Sequence, residues 1–197
     1  MTFLRDHLGT DYGDVQFEVQ RSARYNSARQ KHYEFLAGIT SFSIIALTGI
    51  SGYVFIEQSG WIRFILPAVV ILISTLDLIY KPSKMAAVHK ILTRHFIRLD
   101  VKMTLSEDKT SSAAEQFLAE RLEIDQDSPP DSEVANIISH NELCDALGST
   151  EEIYHVNWFR RLLSQWKSLP PKEWVKLDDF NARKENSSND SFQQAPA

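Results

Sequence analysis

A chain of 197 residues has room for one domain or a compact pair, and a net charge of −5 argues against nucleic-acid binding as its main role. The single cysteine, Cys144, rules out an internal disulfide and, on this reading, any cysteine-based zinc site made from one chain. The mean hydropathy of −0.25 looks soluble, but it averages two unlike parts: residues 35–56 carry no charge, while the stretch from Lys81 onward is rich in Lys, Arg, Asp and Glu.

Residues 1–33 read as an N-terminal cytoplasmic segment. In it "DVQFEVQ" alternates Val15, Phe17 and Val19, which suits a short strand or the start of a helix leading to a membrane. The basic, aromatic "RYNSARQKHYEFL" follows as a juxtamembrane helix. Residues 34–80 read as a transmembrane helical hairpin with spans at 35–56 and 61–80 and a polar tip at 57–60. The first span, at 1.5 Å per residue, reaches roughly 33 Å, enough for a hydrocarbon core of about 30 Å. The second is free of charge only from Phe64 to Leu76, and its flanks complete it: Trp61 and Tyr80 fall where interfacial aromatics belong, and Arg63 and Asp77 lie near its ends. Tyr33 and Tyr53 bracket the first span in the same way. A soluble antiparallel helix pair is the competing reading, but it needs a polar face that the first run lacks.

Basic residues flank both inner ends: Arg21, Arg24, Arg29 and Lys31 before the first span, and Lys81, Lys84, Lys90, Arg94 and Arg98 after the second. The positive-inside rule places both termini in the cytoplasm. The first run is also too long, and too far from Met1, for a cleaved signal peptide. On a helical wheel Ala37, Thr40, Ser41, Thr48, Ser51 and Gly52 share a sector of about 120°. Such a face suits close helix packing, or the lining of an aqueous path in a ring of several chains. Arg63 in such a ring puts positive charge at the outer mouth, favouring anions; as a single residue it is an interface anchor.

Residues 81–169 read as a cytoplasmic region of amphipathic helices. Met85, Val88, Leu92, Phe96, Leu99 and Met103 give the first its apolar stripe, and its basic side faces anionic headgroups or serves only to set topology. Phe117, Leu118 and Leu122 mark the second. Pro129 and Pro130 break the chain, with Asp131 or Ser132 able to cap the third. This helix gathers Val134, Ile137, Ile138 and Cys144 and ends at Gly148. Asn141, in the middle of its apolar side, is a structural polar residue that needs partners. His140, Cys144 and His155 are metal ligands in type, but their spacing matches no standard site. A last helix is expected from about residue 151 to Pro170, with Val156, Phe159, Leu162, Leu163 and Trp166 inward. Residues 170–197 read as a disordered tail.

No P-loop, GxGxxG, GxSxG or HExxH occurs, so the expectation is a protein that is not an enzyme and has no cofactor, no metal and no catalytic residue. The fold expected is an all-α membrane protein, a two-helix transmembrane hairpin with a cytoplasmic helical bundle.

The order of "RYNSARQKHYEFL", the hairpin, "AAVHKILTRHFIRLDVKM", "AERLEIDQDSPPD" and "SHNELCDALG" resembles the SLATT family over roughly residues 20–169. Asn141 and Glu142 match that family's "hNe" pattern, with Ser139 and His140 standing where a small residue or cysteine is usual. The resemblance implies a two-span effector of bacterial conflict or antiviral defence systems in the inner membrane, partnered by the lipid bilayer, by further copies of itself and by a nucleotide-signalling or sensor protein. It implies a homo-oligomer that forms a pore or breaches the membrane once a signal arrives. A membrane-tethered adaptor recruiting a cytosolic partner through residues 113–166 is the alternative.

Overall fold

The computed structural model describes residues 11–57, 60–130, 132–159 and 175–181. Five α-helices follow in order: α1 (Tyr12–Glu57), α2 (Ile62–Tyr80), α3 (Pro82–Leu105), α4 (Ser111–Gln126) and α5 (Glu133–Leu147), then a 3-10 turn at Thr150–Glu152. Among the described residues the one extended pairing is an isolated antiparallel bridge between Tyr154 and Lys176. Two helices are long and apolar enough to cross a membrane, and none of either apolar stretch is buried within the molecule, unlike the core helix of a soluble protein.

α1 absorbs the "DVQFEVQ" segment. Val15 and Val19, read as alternating strand positions, are also one helical turn apart and both are buried, while Phe17 is only half-buried. No proline interrupts residues 12–57, and Asp14 lies in the first turn, where a negative charge favours a helix start. The juxtamembrane helix and the first apolar run are thus one helix of 46 residues.

α2 ends at Lys81, which adopts a left-handed conformation (φ 45°) and returns its N–H to Asp77 O at 2.9 Å. Pro82 then opens α3 at the position where its missing N–H costs nothing. Gly148 (φ 77°) closes α5 in the left-handed turn expected of it. Thr110 caps α4 by accepting from Ala113 N–H; Ser132 occupies the α5 cap position without a side-chain capping bond to the helix, and its own N–H donates to Tyr25 Oη at 3.1 Å.

The chain divides into two compact units, Asn26–Leu92 and the remainder, Met1–Tyr25 with Thr93–Ala197. In the latter, Val15 and Val19 of α1, Phe96, Leu99 and Met103 of α3, Phe117 of α4, and Val134 and Leu143 of α5 are buried. Tyr12 Oη donates to Met103 O at 2.5 Å, and Gln16 and Gln20 both donate to Asp100 Oδ1, so polar bonds fix α1 against α3 beside the apolar core.

Four expectations are corrected. On α4 the inward residues are Ala113, Ala114, Phe117 and Arg121, whereas Leu122 is exposed and Leu118 half-buried. On α3, Met85 and Val88 are half-buried and Ala86 and His89 take the buried positions. The segment from residue 151 does not open a long helix: after the 3-10 turn, residues 153–157 are non-helical, with Leu177 N–H bonded to Ile153 O and His155 N–H to Val175 O. Lys176 and its neighbours, assigned to a disordered tail, form this pairing and a helical turn at 177–181. Leu162, Leu163 and Trp166 lie outside the described residues, as does most of that tail.

Candidate functional site

Two facing stripes define the hairpin. On α1 the half-buried positions in the hairpin are Leu36, Ala37, Thr40, Ser43, Ile44, Ala46, Leu47 and Ser51; on α2 they are Leu66, Pro67, Val70, Ile73, Ser74 and Asp77. Both sets recur at three and four residues, so each helix shields one face and leaves the others open. One polar contact crosses between them. Thr40 Oγ1 lies 2.8 Å from Asp77 Oδ1 and 3.1 Å from Ala37 O. Its single proton serves one acceptor at a time. The hydroxyl donates to the Asp77 carboxylate across the pair. An ionisable side chain between apolar helices is a functional candidate.

The expected small-residue face is divided by this packing. Ala37, Thr40 and Ser51 belong to the half-buried stripe, whereas Ser41, Thr48 and Gly52 are exposed. Gly38 and Gly49 join the exposed set, and a Cβ built at Gly38, Gly49 or Gly52 meets nothing within 4 Å. Thr48 satisfies its own hydroxyl by donating to Ile44 O at 2.6 Å, so this surface can face lipid without an orphan donor.

Of the expected interface anchors, Tyr53, Trp61 and Tyr80 are exposed. Tyr33 is not: it is half-buried, accepts from Arg29 Nη2 at 2.9 Å and stacks on His89 with ring centroids 5.5 Å apart. The Arg63 side chain lies outside the described residues.

His89 was not foreseen. It is buried, and its Nδ1 lies 2.8 Å from Asn26 Oδ1, the contact a neutral imidazole makes by donating. Burial, aided by the Arg29 guanidinium, lowers its pKa to about 4. A depressed basic group contributes stability that is complete above the unfolded value of 6.5 and is lost as pH falls toward 4, because only the unfolded chain takes up the proton in that window. The loss is on the order of 1–3 kcal/mol across the window. The expected result is that His89 shows no protonation shift in its ring NMR signals down to pH ~5, and that His89→Gln flattens this part of the stability profile.

Asn141 finds the partners its position demanded. Its Nδ2 donates to Tyr154 O at 2.7 Å and its Oδ1 accepts from Tyr154 N–H at 3.0 Å, so one amide replaces a strand neighbour for the backbone of residue 154. The metal-ligand trio of the sequence is split: His155 stacks on Phe180, while His140 and Cys144 stand together on α5. A cavity of about 230 Å³ beside Asn141 and His155 is smaller than the roughly 300–1,000 Å³ of ordinary ligand pockets.

The described residues therefore define an all-helical protein with two candidate membrane-spanning helices. No family model, curated protein or solved structure matches the chain.

Proposed function

We propose that the chain is a bacterial inner-membrane effector of a conflict or antiviral defence system, which oligomerises through its hairpin and opens a conducting path when a signal arrives. The observation that carries this is the exposed face of Gly38, Ser41, Thr48, Gly49 and Gly52, which one hairpin leaves uncovered. In a bilayer small residues let a second helix approach closely, and two helices cannot enclose water, so a path needs several chains. The basic flanks of both spans put the termini and the packed helical unit in the cytoplasm. The segment order shared with SLATT proteins supports a role in defence, with sensing left to the cytoplasmic helices or a nucleotide-signalling partner. A signal opens the path only if it binds the open arrangement more tightly than the closed one.

Reconstitution in vesicles tests this. The purified chain should release a trapped ion or dye when its signal, tried among candidate nucleotides, is added. Thr48→Leu and Gly52→Leu should insert normally but lose about tenfold in release, the scale of losing 1–2 kcal/mol of helix association. Release unchanged in both variants sinks the role of this face. A chain that never conducts, and whose soluble helices alone recruit a partner, is instead an adaptor.

A further inference from the structure

The corner where α5 meets the 3-10 turn brings three metal-ligating side chains together. His140 and Cys144 are four residues apart and share a face of α5; Gly148 reverses the chain, and Glu152 comes back over that face. His140 Nε2 is 3.4 Å from Cys144 Sγ, and one ligand atom from each of His140, Cys144 and Glu152 lies within 4.8 Å of the others. In a tetrahedral zinc site, with Zn–S about 2.3 Å and Zn–N about 2.0–2.1 Å, adjacent ligand atoms stand roughly 3.4–3.6 Å apart. The nitrogen and sulfur already have that spacing. Glu152 is exposed on the turn, and a change of rotamer brings its carboxylate in.

We propose that His140, Cys144 and Glu152 form a site for one borderline-soft divalent metal ion of the zinc class, with a fourth position left to water. One cysteine suffices because imidazole and carboxylate supply the other ligands, a combination with no paired-cysteine signature.

The surroundings favour this use. The His140 ring is held edge-on by Phe17 (centroids 5.3 Å) and tilted against Tyr154 (5.6 Å), so its orientation is set before any ion arrives. Its Nε2 faces both the Cys144 sulfur, at 3.4 Å, and Glu152 O, at 3.2 Å. On metal binding Nε2 and Sγ both turn to the ion, the imidazole proton moves to Nδ1, and the Glu152 carbonyl, on an exposed residue, turns to water. Burial holds His140 below its usual pKa, keeping the imidazole neutral and ready to ligate. Burial, and then the Glu152 carboxylate, push the Cys144 thiol up, so the ion has to displace its proton to bind, at a cost that the geometry offsets. On binding, the S–H proton leaves to solvent and the sulfur lone pair forms the metal bond. The ion would pin the 3-10 turn to α5, and with it the segment whose Tyr154 pairs with Asn141.

Cobalt(II) is the probe, added to the full chain in detergent micelles. One cobalt per chain should bind with the near-ultraviolet charge-transfer band of a cobalt–thiolate bond and the visible bands of tetrahedral cobalt, and zinc should displace it. Cys144→Ser should abolish the charge-transfer band. Glu152→Gln, at an exposed position that leaves the fold intact, should weaken binding by about tenfold or more, as should His140→Gln. No charge-transfer band in the parent chain overturns the proposal, and so does a band whose titration is unchanged by Glu152→Gln and His140→Gln. Neither result depends on whether the hairpin conducts.

Discussion

Glu18→Ala should destabilise the unit built on α3, α4 and α5 by about 3–5 kcal/mol, the cost of breaking a buried ion pair by removing one partner. Glu18 Oε2 receives Arg21 Nη2 from its own helix and Arg121 Nη2 from α4 at 3.3 Å. Both guanidinium-bearing residues are buried, and the other carboxylate on Arg121, Asp125, is 3.5 Å away and partly open to solvent. Removing Glu18 therefore takes a shared carboxylate away from two buried guanidinium groups. Glu18→Gln should cost nearly as much, since an amide keeps the volume and loses the charge. Replacing Glu18, Arg21 and Arg121 together by methionine should cost far less than Glu18→Ala, because no uncompensated charge remains. Urea midpoints followed by circular dichroism in detergent read all three. A Glu18→Ala shift below about 1 kcal/mol, the range of a surface pair, would show that the network is solvated in solution.

That network also explains why α4 turned out differently from its apolar pattern. Counting only apolar residues puts Leu118 and Leu122 inward, but the helix is rotated to bring Arg121 to Glu18, a residue more than a hundred positions earlier. The two membrane-length helices were legible because lipid imposes one demand, an uncharged run of sufficient length with interfacial aromatics at its ends, and residues 35–56 meet it without reference to any distant partner. The lower half of the α3 stripe was legible for a similar reason: Leu92, Phe96, Leu99 and Met103 recur at three and four and all are buried. His89 broke the upper half of that stripe because its burial depends on Asn26, 63 positions away.

Asn141 is the intermediate case. Its place on an apolar face announced that partners were needed, but not that they would be the backbone of Tyr154. Those two bonds, and the bridge to Lys176, draw residues 153–157 out of the helix that Val156 and Phe159 suggested. The small-residue face of α1 was legible as a set but not as two halves, since the division depends on where α2 lies. Likewise His140 and Cys144 were visible as metal ligands in type, but Glu152 reaches them only because Gly148 turns the chain back.

Asp77→Leu should raise the resting leak of the proposed effector while improving its insertion. Between Phe35 and Tyr80 the charged residues are Glu57 at the tip, Arg63 and Asp77, so Asp77 is the acidic charge set within a span. Exchanging it for leucine removes a penalty of up to about 3 kcal/mol on the insertion scale, less near a span end. It also removes the one polar bond described between the two stripes, Thr40 to Asp77. Interhelical hydrogen bonds in membranes average about 0.6 kcal/mol and reach about 1.7, so a closed state tied by this bond should lose three- to twenty-fold in its population ratio against the open state. Vesicles carrying Asp77→Leu should leak by that factor without a signal. Thr40→Val removes the same bond and keeps the carboxyl, so it should leak comparably; Asp77→Asn can still accept from Thr40 and should stay close to the parent. If Asp77→Leu and Asp77→Asn leak alike while Thr40→Val stays tight, the charge itself governs the path and the bond to Thr40 does not lock it.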